Sequence, residues 1–369
     1  MSDYNKEKIL GVQSVSGTPT VSRALPVKIV SGDDGSTGTG KIVLDWANIS
    51  SKKDVRVLTE NGQSVDYWFE SFDASNETAV VHVYRDYLRD GSAQLKVVYG
   101  GGSTDYSSSK ETVFDKESGL RGGWAMNETS GDALDLTGNN FNGNIENSPT
   151  RGINGAVDGA YDFGNSDSVA APYDMGLSGD SEFTESIWWK GLNPGGALFS
   201  INYDDSPHRG VDFWVSGDNE VAVHIIHSWS DNALKAVTDE TGADHIDPFD
   251  GDWHLITATY DGSKTADGIS IYVDGQEQPQ NNTVDNLTNN SITDPANPVR
   301  WTGRSDDNGD LSSSSSGSID DVRIYREKLS SDTEVARYDA SKQGPDFFSQ
   351  RAAKKQGKMK LDKNGLLTT

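Results

Sequence analysis

The 369-residue chain has no cysteine, which removes disulfides, thiolate metal sites and cysteine nucleophiles together. It is also short of cations, with 19 Lys and 13 Arg against 42 Asp and 15 Glu and a formal net charge of -25. That balance excludes a nucleic-acid binder, whose surface must neutralise phosphate, and it works against docking on an anionic bilayer. No apolar run approaches the roughly 18 residues that a membrane helix needs. The opening stretch, Met1 to Leu10, lacks the apolar core of a secretory signal. The sequence alone therefore predicts a protein made in the cytoplasm and not inserted in a membrane.

What is present points to a folded protein. The chain carries 9 Trp, 13 Tyr and 11 Phe, an aromatic content that disordered acidic tracts do not have. Short, strongly hydrated aspartate dominates the acids, and lysine is rare before the last twenty residues. This composition suits a halophilic protein, in which carboxylates hold a hydration layer and salt screens their repulsion within a few ångströms.

At about 150 residues per domain the length suggests more than one domain. Residues 1–24 form a Ser/Thr/Val-rich lead and candidate anchor. Residues 25–102 read as short strands about every ten residues, among them Lys41 to Trp46, Val65 to Phe69 and Thr78 to Tyr84. This spacing predicts a small antiparallel β-sandwich. A Gly/Ser-rich stretch opens a linker at 103–119. Residues 120–341 again alternate, as in Val211 to Val215 and Val221 to Ile226, and Asp274-Gly275 marks a tight hairpin. Ser330 to Tyr338 is the single helical candidate. The tail, 342–369, is net +5 and reads either as a solvated, partly disordered terminus or as an attachment arm for an acidic partner.

The motifs of the second region resemble a family. Gly123 to Gly131 is similar to the opening strand and turn of laminin G-like, concanavalin A-like jelly rolls. Asp135 to Gly143 is similar to their Asp-x-Ser-Gly-Asn-x-x-x-Gly loop, with Thr137 at the serine. Trp253 to Gly262, Ile271 to Gly275 and Gly317 to Tyr325 follow in the family's order. The fold class expected is therefore all-β, an antiparallel β-sandwich followed by a jelly roll. Residues 25–102 resemble, through Asp54 to Val57, Tyr67 to Glu70 and Val97 to Gly100, a small β domain of unassigned function in microbial surface proteins.

The resemblance implies a structural Ca²⁺ site, whose residues carried over are Asp135, Asn140, Asp320 and Glu128; calcium favours such hard oxygens. Stacking residues for a sugar would be Trp189, Tyr203, Trp214 and Trp229. Trp188 and Trp189 are adjacent on one strand and must face opposite sides, so one of them is core. His224 and His227 read as structural. No strand places a Glu-x-Asp-x-x-Glu catalytic set, and no Ser- or His-based motif occurs, so the chain is read as non-enzymatic.

A surface-type module without an export signal, ending in a tail of opposite charge, suggests a halophilic virus particle. The chain would be a fibre, spike or turret, homo-oligomeric, contacting other virion proteins and a host-surface glycan or glycoprotein. A cellular adhesin, a purely structural decoration protein and a glycan-cleaving jelly roll are the alternatives.

Overall fold

The computed structural model describes residues 4, 6–12, 20–32, 41–59, 61–88, 94–172, 175–192, 195–202, 204–216, 220–292, 298–306, 308–331, 333, 348–350, 360–361 and 367–368. These form two compact units, residues 1–118 with 335–369 and residues 119–334.

The first unit is built from two four-stranded sheets. One runs Phe348–Gln350, Lys6–Val12, Gln94–Tyr99, Val55–Thr59, all antiparallel. The other runs Ile42–Leu44, Thr20–Ser31, Thr78–Leu88, Tyr67–Asp73. In it Ile42–Leu44 lies parallel to Thr20–Ser31. Alternation places Leu25, Val27 and Ile29 in one core with Val55, Val57, Val81, Val83 and Val97.

Three segments differ from their sequence reading. Part of the 1–24 lead is strand: Lys6–Val12 is an interior strand of this unit. The stretch 103–119 holds a short helix, Lys110–Phe114, capped by Ser109, whose Oγ accepts from Thr112 N–H at 3.2 Å. Its Val113 and Phe114 are buried, and the Phe114 ring packs 5.1 Å from His82 and 6.1 Å from Trp68. An apolar pair one turn after a capping serine is what draws this segment onto the unit. Within 342–369, Phe348–Gln350 is an edge strand against Lys6–Val12, while most of the tail's basic residues lie outside the described residues. Of the helical candidate, Ser330 accepts from Thr333 N–H at 3.3 Å as a cap does, and residues 334–347 lie outside the described residues.

The second unit contains two eight-stranded antiparallel sheets. The first follows Thr150–Asn154, Gly159–Phe163, Gly317–Tyr325, Glu182–Lys190, His254–Asp261, Ile269–Val273, Gln276–Glu277, with Leu120–Trp124 also paired to Gly317–Tyr325. The second follows Gln280–Asp285, Asn232–Thr238, Val221–Ser228, Gly210–Val215, Gly196–Ser200, Val299–Trp301, Ser168–Ala171, Asn144–Glu146. Neighbours distant in sequence, such as Gly317–Tyr325 beside Glu182–Lys190, produce the crossing connections of a jelly roll. The Asp274-Gly275 turn is as the sequence predicts, with φ of 55° and 77°, the geometry that a two-residue hairpin needs.

The core of this unit lies between the sheets. Phe183, Ile187 and Trp189 face Phe199, Phe213 and Val223, and Trp124 meets Trp301 at 4.5 Å between ring centroids. Each such aromatic contributes about 2–3 kcal/mol by burial. The two faces of the second sheet separate cleanly. Val211, Phe213 and Val215 enter the core, so Asp212 and Trp214 between them project from the opposite face.

Candidate functional site

That outer face of the second sheet carries the candidate site. Strand register puts a polar row straight across it: Arg300, Ser200, Asp212, His224 and Lys235 are successive cross-strand partners. Trp214 and Ile226 lie on the flanking rows. Above the row, the segments that carry Arg304, His208 and Trp229 enclose an open cleft of about 210 Å³.

Arg304 organises the cleft. Its Nε donates to Asp212 Oδ2 at 2.7 Å, its Nη1 donates to Asp204 Oδ1 at 3.2 Å, and its guanidinium lies 4.1 Å from the Trp214 ring centroid. It is placed there by the Arg304–Ser305 strand, which pairs with Leu311–Ser312. Asp212 is wholly buried and is also bonded to His224 Nδ1 at 2.7 Å. Burial pushes its carboxyl up, but the Arg304 charge and His224 outweigh this and hold it below the ordinary carboxylate range. Asp204 is likewise pushed up by burial, yet the hydroxyls of Ser312 and Ser313, at 2.5 and 2.6 Å, together with Arg304 hold it low.

Trp229 forms the opposite wall. It is 39% exposed, and its ring stands edge-on to the His224 imidazole at 5.2 Å. Its backbone N–H donates to Pro207 O at 3.0 Å and Arg209 Nε donates to His227 O at 3.2 Å, which ties the 204–209 loop to the turn after Val221–Ser228. Two indoles, two imidazoles, an ammonium and a guanidinium thus surround one open volume. Such a set can hold a flat, hydroxylated ligand by stacking and directed hydrogen bonds.

Trp214 and Trp229 therefore line one cleft. Tyr203 lies outside the described residues. Trp189 is not a ligand residue: it is fully buried in the core, packed so closely on Gly317 that a Cβ there would collide with it. Its strand, Glu182–Lys190, is flanked on both sides and buried on both faces, so Trp188 is covered as well. His224, read from sequence as structural, belongs to the site, as do Asp212, Lys235 and Arg304. Alternation within Val211 to Val215 and Val221 to Ile226 already marked Asp212 and His224 as polar residues on one face. Arg304 comes from a loop whose path no local pattern reveals.

The four calcium candidates do not form a donor set. Both oxygens of Asp135 are occupied by the chain's own donors: Oδ1 by the N–H groups of Gly123 and Thr137, Oδ2 by Thr137 Oγ1 and Phe141 N–H, at 2.8–3.2 Å. Glu128 accepts from Leu134 N–H and the Tyr161 hydroxyl. Asp320 accepts from Val157 N–H at 2.8 Å. Asn140, at φ 59°, donates its side-chain amide to Gly138 O. Backbone N–H groups stand where a cation would have to be, so these residues do not fit calcium. Among the described residues no three His, Asp or Glu side chains are grouped to hold a metal.

One further acid is set apart from the cleft. Glu185 shares the inward face of its strand with Phe183, Ile187 and Trp189 and is 1% exposed. Neither carboxyl oxygen has a hydrogen-bond partner among the described residues. Burial, then the charge of Asp212, push it well above the ordinary range, so it is held as the neutral acid.

Residues 163–336 match the family model described as the concanavalin A-like lectin/glucanases superfamily. The second unit has a concanavalin A-like fold. Residues 51–126 match a domain of unknown function, DUF2341. No curated protein matches the sequence. Among solved structures, the binding domain of Paraclostridial mosquitocidal protein 1 is 15% identical with a TM-score of 0.46, covering 60% of this chain and 52% of that one. The botulinum neurotoxin serotype G binding domain is 15% identical, TM-score 0.41, covering 59% and 50%. Domain 4 of AbnA, an extracellular arabinanase from Geobacillus stearothermophilus solved with arabinotriose, is 14% identical, TM-score 0.39, covering 59% and 98%. The chain spans about half the length of the two toxin binding domains. Likeness of this degree says nothing about the ligand of the concanavalin A-like domain.

Proposed function

We propose that the concanavalin A-like domain binds a saccharide in the cleft between Trp214 and Trp229 and performs no chemistry on it. The observation that carries this reading is the exposed Trp229 facing an open, polar-floored volume, in a domain where Trp124, Trp188, Trp189 and Trp301 are fully buried. Exposing an indole costs burial energy, and a stacking surface for sugar rings accounts for it. The non-enzymatic reading is supported by the state of the acids. A glycosidase needs a carboxyl held protonated beside its substrate. Asp212 is held ionised by Arg304 and His224, Asp204 by Ser312, Ser313 and Arg304, and the protonated acid, Glu185, is enclosed in the core.

The test is titration calorimetry of the full chain against a saccharide panel, with product analysis on the same mixtures. Binding that Trp214→Ala and Trp229→Ala both abolish supports the reading. Binding untouched by both substitutions, or release of shortened saccharides, overturns it.

The finer reading is a surface component of a halophilic virus particle, homo-oligomeric and fastened to other virion proteins, with a host-surface glycan as its target. It rests on composition: the -25 charge and the basic tail of opposite sign. Proteomics of purified particles from a high-salt host tests it, and its absence from them would leave a cellular adhesin. No helix among the described residues is long and apolar enough to cross a membrane.

A further inference from the structure

We infer that the saccharide taken by the cleft is an acidic one, and that Lys235 is the residue that reads its carboxylate; this rests on the cleft being the saccharide site. Two permanent cations line the cleft, Arg304 and Lys235. Arg304 is already spent: it serves Asp212 and Asp204 and sits over the Trp214 ring. Lys235 has no ion pair and no hydrogen bond to its ammonium among the described residues, although the chain holds 57 carboxylates.

Register explains why Lys235 stays unpaired. It is the direct cross-strand partner of His224, and His224 is that of Asp212. The imidazole stands between the ammonium and the nearest carboxylate in the row, with its Nδ1 on Asp212 at 2.7 Å. On the far side the partner of Lys235 is Val284, which offers no counter-charge. The row therefore ends in a cation that faces the cleft, with Trp229 above the same imidazole at 5.2 Å. His208 adds a second unmet group, since its Nδ1 has no partner among the described residues.

The energetic argument selects the ligand class. A neutral sugar stacked between the indoles would strip water from the Lys235 ammonium and return only hydroxyl contacts. A carboxylated sugar returns a charge-assisted bond in the same step. The acids on the floor do not repel such a ligand at close range, because their oxygens face Arg304, His224, Ser312 and Ser313.

The experiment uses the full chain and three acidic polysaccharides, polygalacturonate, hyaluronan and polysialic acid, each beside its carboxyl-reduced form. At least one acidic member is expected to bind about tenfold or more tightly than its reduced form. Lys235→Met should remove that difference, and Lys235→Arg should restore it. Equal affinity for acidic and reduced forms of every member that binds overturns the inference and leaves the saccharide site standing. An acidic preference that survives in Lys235→Met overturns the role of Lys235. Binding to no saccharide at all overturns the site and the inference together. The comparison of acidic with reduced forms is made on the unmodified chain and so does not depend on any variant folding.

Discussion

The guanidinium of Arg304 lies 4.1 Å from the Trp214 ring centroid while its Nε holds the buried carboxylate of Asp212 at 2.7 Å. One side chain thus orients an aromatic wall of the cleft and neutralises its floor. Arg304→Met keeps apolar packing on Trp214 but leaves Asp212 buried without its main counter-charge. It is expected to destabilise the fold by about 3–5 kcal/mol, the cost of breaking a buried pair. Urea unfolding checks this, and the double variant Arg304→Met with Asp212→Asn should recover most of the loss. Arg304→Lys should recover charge without the planar stack, and so restore stability more than binding.

The two tryptophans that sequence reading grouped together should separate in their effects. Trp229→Ala removes a 39% exposed ring and is expected to change stability by less than about 1 kcal/mol while abolishing saccharide binding. Trp189→Ala opens a cavity in the core and should cost about 3–5 kcal/mol. Thermal melting and calorimetry on the same preparations distinguish the two roles. If Trp229→Ala were the more damaging to the fold, the cleft would be a structural feature.

The contrast between these rings shows what the sequence could and could not convey. Alternation is a local property, and it correctly separates Val211, Phe213 and Val215 from Asp212 and Trp214. It cannot tell whether the outward face of a strand meets solvent or another part of the chain. Trp188 and Trp189 point to opposite faces of Glu182–Lys190, and both are fully buried. The cleft also depends on tertiary arrangement: Asp212, His224 and Lys235 lie on three successive strands and become neighbours through register, and Arg304 arrives from a distant segment. The Asp135 to Gly143 motif was legible as a loop, but its sequence reads equally as a cation site or as a self-closed turn. The hydrogen bonds from Gly123, Thr137 and Phe141 show the second.

That loop makes a prediction of its own. Because Asp135 satisfies four donors of the chain, melting should be the same with millimolar calcium and with chelator. Asp135→Ala should nonetheless cost on the order of 3 kcal/mol, since it leaves buried N–H groups of Gly123 and Phe141 without acceptors. A chelator-dependent fall in melting temperature would restore the calcium reading.

Glu185 gives the last prediction, through pH. Its folded-state pKa is raised, by burial first and by Asp212 second, so over the range above the unfolded value of about 4.3 the native state binds more protons than the unfolded state. Stability from this group is therefore fully present below about pH 4 and is lost as pH rises towards the folded pKa. Asp212 works in the opposite sense: its lowered pKa contributes stability above the unfolded value of about 3.9, lost as pH falls. Glu185→Gln removes the first dependence and leaves the second. The variant should match the natural protein near pH 4 and exceed it at pH 7, with the gap widening by up to about 1.4 kcal/mol per pH unit. Urea unfolding at pH 4, 5.5 and 7 measures the gap directly. A gap that stayed constant with pH would mean that Glu185 titrates normally and that its side chain reaches water, which would place an opening in the core between Phe199 and Phe213.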